Sequence, residues 1–180
     1  MASIEQHASG WRLCGGGLVL DIDRRTGSLG ALSLVDGQGF QWSQHPGDVV
    51  VRDDLLRKTF DTRDLDQVQY EVAGESLVAK KIFRGVPWSL TERYHVGPDT
   101  LHWEAEVSLD AGDFRSCAVG YQIPWPQPLY PMKFWAAREN MPSAPHRFAQ
   151  ICFEYGEVTS GILIPALCCY RDDKDAGLLL

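Results

Sequence analysis

Trp88 to His95 and Leu101 to Leu109 each alternate apolar and polar residues with a period of two, and Val96-Gly97-Pro98-Asp99-Thr100 lies between them. Successive strand side chains point to opposite faces, so this pattern commits the segment to a sheet with one buried face. With Pro98-Asp99 at the centre of the turn, residues whose numbers sum to 197 stand opposite one another. Tyr94 then faces Trp103, Leu90 faces Val107 and Trp88 faces Leu109 on the apolar side. On the polar side Arg93 faces Glu104, His95 faces His102, Thr91 faces Glu106 and Ser89 faces Ser108. Glu92 breaks the division by falling among the apolar residues, opposite Ala105. The expected resolution is a bulge at the strand end that turns Glu92 outward. The alternative is a buried carboxyl with a raised pKa, suited to acid or base work.

The rest of the chain follows the same period. No segment of ten or more residues carries a helical apolar stripe, and the 17 glycines and 10 prolines fall between apolar runs as turn punctuation. Val68 to Val72 and Leu77 to Phe83 precede the hairpin and extend it into an antiparallel meander. Upstream, Arg12 to Ile22 and Leu29 to Val35 read as an opening hairpin joined by Asp23-Arg24-Arg25-Thr26-Gly27-Ser28. The triplet Gly15-Gly16-Gly17 completes no phosphate-binding motif and is read as a bulge or strand entry. Val49 to Val51 is a short strand, and the charged stretch Arg52 to Asp66 is expected to be a solvated loop with one helical turn around Asp54 to Lys58. Later strands are expected at Arg115 to Ile123, Phe148 to Tyr155 and Ile162 to Tyr170. Between the first two of these, Pro124 to Pro131 places four prolines in eight residues, which excludes a central strand. The expected fold class is all-β, an antiparallel two-sheet β-sandwich in one domain spanning 1–180. Ala176-Gly177-Leu178-Leu179-Leu180 reads as a strand in which the chain stops, so the sequence is expected to be the N-terminal part of a longer protein.

Charge and cysteine usage narrow the partners. Lys and Arg number 17 against 24 Asp and Glu, a net charge of −7, and no basic run interrupts the balance. The electrostatic footprint of a nucleic-acid or anionic-membrane binder is therefore missing. No signal-peptide pattern or 18-residue apolar stretch is found, so a cytoplasmic location is expected. Cys14, Cys117, Cys152, Cys168 and Cys169 show no C-x-x-C spacing, so no metal site, disulfide framework or other cofactor is expected.

Three groups of residues could carry chemistry. The polar face of the hairpin gathers Arg93, His95, His102, Glu104 and Glu106. These could act as acid and base, or hydrogen-bond a polyhydroxylated ligand. The preferred reading is a solvated outer face with an Arg93–Glu104 cross-strand pair worth about 0.2–1 kcal/mol. Glu92 is the second candidate, as above. The third is the aromatic segment from Trp125 through Tyr130 and Phe134 to Trp135, which suits docking against another domain more than stacking on a sugar. Arg138 close by could donate bidentate hydrogen bonds. Motifs of serine hydrolases, zincins and EF-hands are absent.

The opening Asp23-Arg24-Arg25-Thr26-Gly27-Ser28-Leu29-Gly30-Ala31-Leu32, the strand Leu101 to Val107, the strand from Arg115 ending in Ile123-Pro124-Trp125-Pro126, and the late Gly161 to Leu167 resemble the galactose-mutarotase-like β-sandwich. That fold stands at the N-terminus of many glycoside hydrolases. The resemblance implies a carbohydrate-related accessory domain that packs on a separate catalytic domain C-terminal to it, the latter supplying the carboxylate pair. Two further readings follow from it. One is a stand-alone aldose epimerase with His95 or His102 as acid and Glu104 as base. The other is a sugar-binding module stacking Trp125, Tyr130 or Trp135 on a glycan.

Overall fold

The computed structural model describes residues 3–15, 17–34, 47–98, 100–110, 116–122, 133–136, 167–171 and 176–179. Among these, β-strands dominate and a single 3-10 turn is the only helical element. In chain order the strands are β1 (Ser3–His7), β2 (Gly10–Gly15), β3 (Leu18–Asp23), β4 (Leu29–Leu34), β5 (Asp48–Asp53), β6 (Lys58–Phe60), β7 (Leu65–Ala73), β8 (Ser76–Phe83), β9 (Trp88–Val96), β10 (Leu101–Leu109), β11 (Cys117–Gln122), β12 (Lys133–Ala136), β13 (Leu167–Arg171) and β14 (Ala176–Leu179). The chain divides into two compact units, residues 1–126 and 127–180.

In the first unit, β10-β9-β8-β7 form the expected antiparallel meander, beside the sheets β1-β2-β3-β4 and β11-β5-β6. The register of β9 and β10 runs without interruption from Leu101 opposite Val96 to Leu109 opposite Trp88, as the alternation predicts. At the turn the Gly97 N–H donates to the Thr100 carbonyl at 2.8 Å. An isolated bridge between Leu29 and Gly47 ties the start of β4 to the residue preceding β5.

One face of the meander is the core. Leu77, Ala79, Phe83, Trp88, Leu90, Tyr94 and Val96 are buried there, and Val49, Val51 and Phe60 from β5 and β6 close one end. Trp88 sits 5.1 Å from Phe60 and 5.0 Å from Phe83, ring centre to ring centre. At the other end the first sheet supplies Leu13, Leu20, Ile22, Leu29 and Leu32, all buried. There the Trp11 ring lies 5.8 Å from that of Tyr70, whose hydroxyl donates to the carbonyls of Asp23 and Arg24. Each fully buried aliphatic or aromatic side chain contributes about 1.5–3 kcal/mol, so the alternating pattern of β8 and β9 does most to specify this layer.

Several sequence expectations need correcting. The run Arg12 to Ile22 is itself a hairpin, with Gly15 of β2 paired to Leu18 of β3 across the glycine triplet. Gly15 is therefore the last residue of β2, and Gly17, at φ +117°, immediately precedes β3. Strand β1 pairs with β2 ahead of it; its sequence Ser3-Ile4-Glu5-Gln6-His7 is mostly exposed and shows no apolar alternation to read. The stretch Arg52 to Asp66 holds the end of β5, a turn, the short strand β6 and the 3-10 turn Thr62–Asp64, capped by the Asp61 side chain. Strand β11 pairs with β5. Phe148 to Tyr155 lies outside the described residues.

In the second unit the described strands form the antiparallel sheet β12-β13-β14. Strand β12 falls within what the sequence reading left as connection. Cys168 stands opposite Trp135 and Leu179, and Cys169 opposite Phe134 and Leu178.

Candidate functional site

The inner face of the meander carries two charged residues. On β8 the inward positions are Leu77, Ala79, Lys81 and Phe83, and on β9 they are Trp88, Leu90, Glu92, Tyr94 and Val96. Glu92 is paired with Ala79 on one side and Ala105 on the other, in unbroken register. The expected bulge is thus absent, and Glu92 points inward with no exposure. Two alanines as cross-strand neighbours leave the space that its carboxyl and the Lys81 ammonium fill.

The carboxyl of Glu92 is enclosed by partners. Its Oε1 accepts from the Tyr94 hydroxyl at 2.8 Å and from Trp103 Nε1 at 2.9 Å, while its Oε2 is ion-paired with Lys81 Nζ. Lys81, 1% exposed, also pairs with Asp48 Oδ1 at 2.9 Å at the start of β5. Asp48 in turn accepts from the backbone N–H groups of Val49 and Thr62. The turn between β3 and β4 caps the group. The Gly27 carbonyl lies 2.9 Å from the Tyr94 hydroxyl, and Gly27, at φ +67°, would place a Cβ 2.9 Å from Lys81 Cε. Glycine is needed at this position for both the backbone angle and the space.

Burial pushes the Glu92 carboxyl above the usual carboxylate range, and the Lys81 charge with the hydrogen bonds from Lys81, Tyr94 and Trp103 pulls it partly back. Burial, followed by the neighbouring Glu92, raises the Tyr94 phenol well above its ordinary value. Tyr70 is pushed up to about 12, mainly by burial and then by Asp23. The Tyr94 hydroxyl has one proton and two acceptors within reach, Glu92 Oε1 and the Gly27 carbonyl.

A second buried carboxylate lies at the other end of the core. Asp53 accepts from Trp88 Nε1 at 3.0 Å and from the Leu56 N–H at 3.0 Å, anchoring the β5–β6 turn to the meander.

The outer face of the same sheet carries the cluster expected from the sequence. Arg93 Nε lies 3.8 Å from Glu104 Oε2, with side chains 46% and 72% exposed. The His95 and His102 rings are 6.1 Å apart, and Glu106 is exposed two residues beyond Glu104. This is the solvated face of the preferred reading, with the register bringing the residues together. Trp135 is placed on β12 opposite Cys168. Trp125, Tyr130 and Arg138 lie outside the described residues.

The sequence reading missed Lys81, Asp48 and Asp53. Lys81 had a signal, since the alternation Leu77, Ala79, Lys81, Phe83 puts it on the apolar face just as the next strand does Glu92. Two opposite charges that break the pattern on adjacent strands point to each other. Asp48 and Asp53 flank a short strand with too few alternating positions to fix their direction.

No protein-family model matches the sequence, and no curated protein or solved structure matches it. Among the described residues, no helix is long and apolar enough to cross a membrane.

Proposed function

We propose that this chain is an accessory β domain of a carbohydrate-active enzyme, a glycoside hydrolase, and that it supports and orients a catalytic domain instead of performing chemistry itself. The observation that carries the reading is the state of Glu92. Among the described residues it is a carboxyl whose pKa burial raises, the direction acid or base work would want, yet Lys81, Tyr94 and Trp103 occupy it and it has no exposure. A buried ion pair of this kind positions strands. The resemblance of Asp23 to Leu32 and of the strands around Leu101 to Val107 and Arg115 to Pro126 to the galactose-mutarotase-like sandwich supplies the link to carbohydrate.

The epimerase reading draws less support, because His95, His102 and Glu104 share an open face and Glu104 lies beside Arg93. Polarimetry on fresh aldose solutions separates the two. The accessory reading expects mutarotation at the uncatalysed rate with residues 1–180 present, together with glycosidase activity in any longer product of the same coding sequence. Accelerated mutarotation, or a stop codon directly after Leu180, overturns it.

A further inference from the structure

We propose that His95 and His102 form a chelating site for a divalent transition-metal ion at the turn end of the β9–β10 hairpin, a site independent of the accessory role. The two histidines stand directly opposite one another, and their ring centres are 6.1 Å apart. His95 Nδ1 lies 3.0 Å from the Glu75 carbonyl oxygen and 3.5 Å from the Ser76 hydroxyl. A carbonyl only accepts, so Nδ1 carries the ring proton and Nε2 keeps its lone pair. Metal-binding histidines characteristically donate their second nitrogen to a carbonyl or carboxylate in this way, which fixes the tautomer and the ring plane.

His95 Nε2 lies near the hairpin turn, by Gly97. A Cβ on Gly97 would lie 2.9 Å from the Thr100 hydroxyl oxygen and 4.0 Å from His95 Nε2, so glycine at 97 is what lets the Thr100 hydroxyl approach the turn beside the His95 ring. His102 Nε2 reaches the same hydroxyl at 3.3 Å. The Thr100 hydroxyl is therefore the contact that an ion at His102 Nε2 displaces. Nitrogen-to-metal distances of about 2.0–2.1 Å put two imidazole centres sharing an ion at about 5 Å for a tetrahedral angle. Closing the present gap by about 1 Å takes only a small side-chain rotation at two partly exposed residues. No third His, Cys, Asp or Glu completes a ligand group among the described residues, so water fills the remaining positions. Paired imidazoles with water select borderline ions such as Ni²⁺, Zn²⁺ or Cu²⁺ over Mg²⁺ or Ca²⁺.

Calorimetric titration of the full 180-residue chain with NiCl₂, with the cysteines kept reduced by a phosphine, is expected to show one ion per chain. Loss of an outer partner alone costs about tenfold or more at such sites, so His95→Ala and His102→Ala should each weaken binding by at least that factor. His7→Ala, which removes a histidine paired with Ser9, should leave it unchanged. Histidine ring signals in the unmodified protein give a reading independent of variant folding: diamagnetic Zn²⁺ should shift those of His95 and His102 together. Absence of binding at millimolar ion, unchanged affinity in both variants, or shifts confined to other histidines would overturn the site.

Discussion

Glu92 and Arg93 are neighbours in sequence, and each forms an ion pair across strands of the same sheet, but on opposite faces. Inside, Glu92 meets Lys81 with essentially no exposure on either partner, and hydrogen bonds from Tyr94 and Trp103 complete its shell. Outside, Arg93 and Glu104 stand 3.8 Å apart, both well exposed. The formal charges are the same and the consequences differ. Water screens the outer pair, so it contributes little whether made or broken. The inner pair has given up water, so its members depend on each other.

Removing one inner partner breaks this comparison most severely. Lys81→Met strands a buried carboxyl and should destabilise the fold by about 3–5 kcal/mol in urea unfolding. The double variant Lys81→Met with Glu92→Gln, which keeps an acceptor for Tyr94 and Trp103, should recover much of that loss. If the single and double variants are equally unstable, the ion pair is not the source of the effect. Tyr94→Phe removes one donor shared between Glu92 and Gly27 and should cost about 1.5–3 kcal/mol by the same measurement.

A pH series sharpens the contrast. Glu92 has a folded-state pKa raised by burial, so between its unfolded and folded values the folded chain binds more protons than the unfolded one. Stability from this group is complete below the ordinary glutamate pKa and is lost as pH rises through the raised one. Glu92→Gln should flatten that falling limb of the stability profile, and an unchanged slope would place its origin elsewhere. Smallest of all, Arg93→Ala or Glu104→Ala should change stability by about 0–1 kcal/mol, a difference that molar salt erases.

The legibility of the sequence follows the same division. The meander could be read because nine consecutive alternating positions in each of β9 and β10 leave one register that keeps the apolar residues together. That register also places Arg93, His95, His102 and Glu104 on one face from the sequence alone. Glu92 stands out as an exception in the pattern, and a bulge is the cheaper local explanation because β10 offers only Ala105 opposite it. The partner, Lys81, comes from β8, and Asp48 from a strand 33 residues before it; long-range convergence of this kind leaves no local pattern. Short or exposed elements escaped for a simpler reason. Strand β1 has no buried side, β6 has three residues, and the pairing of Gly15 with Leu18 is concealed by apolar continuity across Arg12 to Ile22.

The capping role of Gly27 bears on where this chain tolerates modification. Surface turns between strands are ordinarily the safe places to insert a tag, a label or a permuted terminus. The β3–β4 turn looks like such a place, yet its Gly27 carbonyl meets Tyr94 and a side chain there would press on Lys81. The turn between β7 and β8 is the better attachment point: a Cβ on Gly74 would meet nothing within 4 Å, and although its φ of +62° keeps that position glycine, the adjacent Glu75 is exposed. Turns of similar appearance thus differ as engineering sites according to what lies beneath them, and a reporter on Glu75 leaves the buried charges undisturbed.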